Sequence, residues 1–201
     1  MLTKQSQTRQ HGARARDHPS PKTQVVNDEM NLKSLILILY ADFMDEYQKN
    51  GVMTLAPKNV MEGSHCFLPH HGVVKETSST TKLRVVFDAS AKTSTGESLN
   101  SVLHTGPSLL KDIRDVLMGF RRHKVVFSCD IRQMYLQIAL HPEDRRYHLV
   151  LWRPNKEAPV QIYQLNRVTF GVGSSSFLSS RSLIELATLY KDRYPRKIQE
   201  G

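Results

Sequence analysis

Two pairs of β-rich runs, each split by a polar spacer, dominate the chain. HGVVKE at 71–76 and KLRVVFD at 82–88 flank Thr77-Ser78-Ser79-Thr80-Thr81, while YHLVLWR at 147–153 and PVQIYQLNRVTF at 159–170 flank Pro154-Asn155-Lys156. Such runs, bounded by turn-forming residues, predict antiparallel hairpins. Helical patterns surround them. Leu39, Phe43 and Tyr47 recur every four residues beside Asp42, Asp45, Glu46 and Lys49, predicting an amphipathic helix from Leu32 that stops at Asn50-Gly51. Pro107 opens a second pattern with Leu109, Ile113, Val116, Leu117 and Phe120 on one face, and the basic residues Arg121, Arg122 and Lys124 follow. Val125 to Cys129 reads as a short strand ending at Asp130, IRQMYLQI as a turn or helix, and Ser174 to about Arg193 as a last helix. Helices interleaved with hairpins give an α+β fold, with an antiparallel sheet and packed helices.

A chain of 201 residues suits one domain. Residues 1–31 lack apolar periodicity and are expected to form a disordered basic tail, with the folded unit over 32–195 and a short tail at 196–201. The formal charge of +9 favours a polyanionic partner without naming one. Two cysteines, Cys66 and Cys129, exclude a disulfide scaffold and a four-cysteine zinc site. His65, Cys66, His70 and His71 fail as zinc ligands, because adjacent residues of an extended segment point to opposite faces. The most apolar stretch, Leu35 to Ala41, is far shorter than the roughly 20 residues that span a bilayer, so no membrane partner is expected. The cytoplasm is the expected location, with the nucleus as the alternative.

The segment VVFSCDIRQMYLQIALHPEDRR sets an acid, Asp130, after an apolar run and an aromatic, Tyr135, five residues later. It resembles the first catalytic motif of reverse transcriptases, with Asp130, Ile131, Tyr135, Gln137 and Ile138 in the motif's places. LPHHGVVKETSSTTKLRVVFDASAKTSTGESLN upstream is similar to the fingers hairpin of that family, in wording close to Bel-Pao LTR retrotransposons. YQLNRVTFGVGSSSFLSSRSL downstream resembles the Bel-Pao version of the next polymerase motif. The likeness implies a partial right-hand polymerase fold, fingers plus incomplete palm. It implies two-metal nucleotidyl transfer, with Mg²⁺ or Mn²⁺ as cofactor and RNA or DNA template-primer and dNTP as partners. If the chain is cropped, the remainder of a retroelement polyprotein is a further partner.

Carried over residue by residue, the resemblance makes Asp130 the catalytic metal-binding carboxylate and Ile131 a backbone metal ligand. Tyr135 would lie beneath the sugar. Arg84 would grip the triphosphate with its planar fork of donors, Lys75 is a candidate second cation, and Lys82 would touch template phosphate. Phe170 and Gly171 would lie beside the nascent pair, where a side chain on the glycine would obstruct the approach. Carboxylates are the hard oxygen ligands that such metal ions take.

The departures are specific. Ser176 stands where many relatives have proline, and no Asp-Asp occurs in the 201 residues, so the Tyr-x-Asp-Asp motif is missing. Tyr190-Lys191-Asp192-Arg193 opens like it but ends in arginine. A single carboxylate cannot hold both ions, so this chain alone is expected to extend primers negligibly. A non-enzymatic nucleic-acid-binding remnant is the alternative function.

Overall fold

The computed structural model describes residues 21–74 and 83–194, and side chains from Ser34 onward. Helix α1 covers Pro21–Lys49. It starts eleven residues before the expected Leu32. No glycine or proline interrupts 22–49, and proline is tolerated at a helix start, so the backbone stays helical where apolar periodicity gives no signal. The end falls as expected: Gly51 has φ +67°, and Val52 N donates to Tyr47 O at 2.9 Å.

Both hairpins form. Strands β2 (His70–Val74) and β3 (Leu83–Phe87) pair antiparallel, His70 opposite Phe87 and Val73 opposite Arg84. Strands β4 (Leu149–Trp152) and β5 (Gln161–Leu165) pair antiparallel, Val150 opposite Tyr163. β5 also takes the short strand β1 (Met53–Leu55), giving a three-stranded sheet in the order β1-β5-β4. β1 has only three residues, too few for an alternation to register in the sequence. The two sheets are stitched by the segment before β2. Leu68 N donates to Leu149 O at 2.7 Å, and Leu149 N donates to Cys66 O at 3.0 Å.

One core serves both sheets. Met44 and Tyr47 of α1, Leu83, Val85 and Phe87 of β3, and Met53, Val150, Tyr163 and Leu165 of the larger sheet pack together. The period-two alternation of β3 buries Leu83, Val85 and Phe87 while leaving Arg84 exposed. His70 belongs to this packing. Its ring stacks on Tyr40 at 5.8 Å and approaches Phe87 at 5.9 Å. Nε2 donates to Leu151 O at 3.0 Å, so Nδ1 accepts from the Tyr40 hydroxyl. Burial pushes the Tyr40 phenol up to about 12, which keeps it a proton donor at neutral pH.

The remaining helices are α2 (Leu99–Val102), α3 (Ile113–Phe120) and α4 (Ser175–Leu189). Two expectations fail between α2 and β4. The helix expected from Pro107 begins only at Ile113, because the Asp112 carboxylate accepts from Arg114 N at 2.8 Å and caps the chain there. Its apolar residues Ile113, Val116, Leu117 and Phe120 are all exposed. The strand expected at Val125–Cys129 does not form: Val125 is 83% and Phe127 85% exposed. A β-prone run becomes a strand only when a neighbour completes its ladder, and none does so here among the described residues. Two 3₁₀ turns follow, Met134–Gln137 and Pro142–Tyr147. No helix among the described residues is long and apolar enough to cross a membrane.

Near the start of α4, His148 lines a cavity of about 160 Å³ with Leu103, Val168, Val172 and Leu178. Its Nδ1 donates to Asp144 O at 3.2 Å, and burial holds the imidazole below its ordinary value. The sign of the pH effect follows. Above about pH 6.5 the ring is neutral in both folded and unfolded chains and contributes nothing. Below that, the unfolded chain takes up the proton first, so stability falls with acidification. Denaturant melts at pH 7.0 and about 5.5 should show a loss that His148→Gln diminishes. An equal loss in both proteins would show that His148 is not the group responsible.

Candidate functional site

A cleft of about 810 Å³ opens between α1, β3, the first 3₁₀ turn and the segment after β5. Each wall follows from local structure. α1 turns Phe43, Glu46 and Tyr47 toward it, β3 contributes Leu83 to Val86, and Gln133, Leu136 and Gln137 come from the 3₁₀ turn and its entry. Gln133, at the entry of that turn, has φ +51°, a left-handed conformation. Arg167 and Phe170, from the segment after β5, also line it.

Among the sequence-derived candidates, Arg84 and Phe170 both line this cleft. Tyr135 is half-buried and packs its ring against Phe170 with centroids 4.6 Å apart. Gly171, with φ +92°, comes so close to the end of β3 that a Cβ there would lie 2.0 Å from Phe87 O. The close approach of this glycine is therefore to β3 itself. Asp130 and Ile131 are exposed on an irregular segment, and neither is among the residues lining the cleft. Lys75 and Lys82, with the expected hairpin tip at 77–81, lie outside the described residues.

The divalent cations implied by the resemblance need several hard donors converging on one point. Among the described residues no group of three or more His, Cys, Asp or Glu side chains comes together. The residues described around Asp130 do not fit a two-metal centre, and no chemical step is assigned through one.

The electrostatics of the cleft are mixed. Arg84 and Arg167 supply two fixed positive charges and Glu46 one carboxylate. Burial, with a smaller contribution from the Glu46 carboxylate, pushes the Tyr47 phenol up to about 12, so its hydroxyl remains protonated at the cleft wall. Such a site can bind an anion that also carries an apolar or aromatic body, since Phe43, Tyr47 and Phe170 line the same cleft as the cations.

Two residues escaped the sequence reading. Arg167 sits within the quoted RVTFG run, where its charge amid strand-like apolar residues was the available signal. Asn100, in GESLN, joins the end of β3 to the loop before α4. Its Nδ2 donates to Ser90 Oγ at 2.8 Å and to Gly171 O at 2.9 Å, while its Oδ1 accepts from Gly173 N at 2.7 Å. Nothing in its sequence neighbourhood signals those partners. No protein-family model matches the chain, and no curated protein matches it.

Proposed function

We propose that this chain is a reverse transcriptase-like fragment of Bel-Pao type that retains a nucleotide and template-primer binding cleft and polymerises negligibly by itself. The observation that carries the reading is convergence. Three segments read separately in the sequence, KLRVVFD, IRQMYLQI and RVTFG, supply Arg84, Gln137 and Phe170 to one cleft, with Tyr135 packed on Phe170. The resemblance puts an arginine on the triphosphate, Tyr135 beneath the sugar and Phe170 beside the nascent pair, and this grouping supports it. Its fold would be fingers plus incomplete palm, for which the α+β arrangement with two small antiparallel sheets is suitable.

A second reading, a nucleic-acid-binding remnant without catalysis, is favoured because no group of three or more His, Cys, Asp or Glu side chains that could hold a metal ion includes Asp130 among the described residues. The charge of +9 supports phosphate binding under either reading.

Two assays test the proposal together. Fluorescence anisotropy with a labelled primer-template duplex should show binding that weakens on the order of 100-fold between about 50 and 200 mM salt, as four or five phosphate contacts require. Salt-insensitive binding, or none, would remove both readings. Primer extension with Mg²⁺ or Mn²⁺ should yield no product above background. Incorporation that disappears in Asp130→Ala would refute the inactivity and restore a polymerase.

A further inference from the structure

The cleft holds a second guanidinium that the motif resemblance leaves without a role. Arg167 follows β5 on a backbone held from both sides: Leu140 N donates to Asn166 O at 2.9 Å, and Val168 N donates to Ile138 O at 2.9 Å. Ala139 and Arg167 form an antiparallel bridge between those bonds. The side chain therefore leaves from a fixed point. It is half-buried and lines the cleft together with Arg84.

Neither arginine has a side-chain hydrogen bond or ion pair among the described residues, where the ion pairs are Arg114 with Asp112 and Arg181 with Glu185. Arg84 is exposed and keeps its hydration, but Arg167 is half-buried, and sheltering a guanidinium, which cannot shed its charge, without a counter-ion is unfavourable. Glu46 is the one acid among the described residues that line the cleft, so two cations face one carboxylate. A ligand bearing several anionic oxygens along a short chain would satisfy both forks, with Phe170 and Tyr47 left for an apolar or aromatic body.

The geometry points to Arg167 as the second cation of an anion clamp, which with Arg84 holds the polyphosphate of a nucleotide. The assignment rests on the reading of the cleft as a nucleotide site.

Titration calorimetry of the full chain in EDTA, with inorganic tripolyphosphate and with a deoxynucleoside triphosphate, separates the two ideas. Arg167→Gln should weaken tripolyphosphate binding about tenfold or more, as loss of a charge-assisted hydrogen bond implies, with thermal unfolding unchanged. Arg167→Lys should recover part of the affinity, because the charge is kept while the fork is lost. If Arg167→Gln folds and binds like wild type while Arg84→Gln is weakened, the clamp is overturned and the nucleotide site survives. If both substitutions weaken tripolyphosphate but the nucleotide binds no more tightly than tripolyphosphate, the clamp stands and the nucleotide reading falls. Binding of neither probe overturns both. Should Arg167→Gln fail to fold, Arg167→Lys decides: affinity at least threefold below wild type supports the clamp, and equal affinity overturns it.

Discussion

Phe87→Ala is expected to lower stability by about 3–5 kcal/mol, the range for deleting a large buried aromatic. Phe87 is 1% exposed at the end of β3, with the Tyr47 ring 6.2 Å and the His70 ring 5.9 Å from its own. Those neighbours belong to α1 and β2, so the ring fills the space where the helix meets the smaller sheet. Asp88 N, next along the chain, donates to Pro69 O at 2.8 Å and holds the strand end in place. The backbone therefore cannot collapse far into the vacated space, which places the cost toward the upper part of the range. For a chain of this size the melting temperature should fall by roughly 10 °C or more. Phe127→Ala is the control. At 85% exposure it should change stability by less than about 0.5 kcal/mol. Similar losses in the two variants would mean that the core lies elsewhere.

The contrast between these two phenylalanines also shows where sequence reading succeeds. Both hairpins were legible, because Val73, Val85, Tyr163 and their neighbours lie in short β-rich runs bounded by turn residues, and the pairing partner is the next run along the chain. The end of α1 was legible for a local reason, the left-handed Gly51. Phe127 misled because VVFSC has the composition of a strand, whereas strand formation depends on a partner that composition does not reveal. The helix expected from Pro107 was shortened by a single carboxylate, Asp112, whose capping bond outweighs the periodicity before it. β1 was missed because its three residues acquire their identity from pairing with β5, far along the chain.

For the site, residue types were legible and proximity was not. Arg84, Tyr135 and Phe170 were singled out through motif resemblance, and Arg84 and Phe170 share a cleft with Tyr135 packed beside it. Arg167 and Glu46 enter that cleft through the register of a loop and the face of a helix, neither of which has a spacing signature. Asp130 was the most specific sequence signal, yet its placement on an exposed segment was hidden by the same strand-like composition that misled at Phe127.

Gly171→Ala should cost about 2–4 kcal/mol, combining backbone strain with a clash that no rotamer can relieve. The residue has φ +92°, and a Cβ would sit 2.0 Å from Phe87 O, a backbone atom of paired strand β3. Retreat of the loop is blocked by Asn100, which donates to Gly171 O at 2.9 Å and accepts from Gly173 N at 2.7 Å. Beyond it Ser175 Oγ donates to Thr169 O at 2.6 Å, tying the loop to the first turn of α4. The strain must therefore displace either β3 or Phe170, and both contribute to the cleft wall. Gly119→Ala provides the comparison: it lies within α3, where an added methyl group would meet nothing within 4 Å, so alanine there should stabilise by about 0.4–1 kcal/mol. Denaturant unfolding measures both changes, and tripolyphosphate titration of Gly171→Ala below its melting temperature measures the effect on the cleft. Loss of stability with affinity unchanged would show that the loop yields away from Phe170; an undiminished stability would mean that the chain does not hold Gly171 against β3.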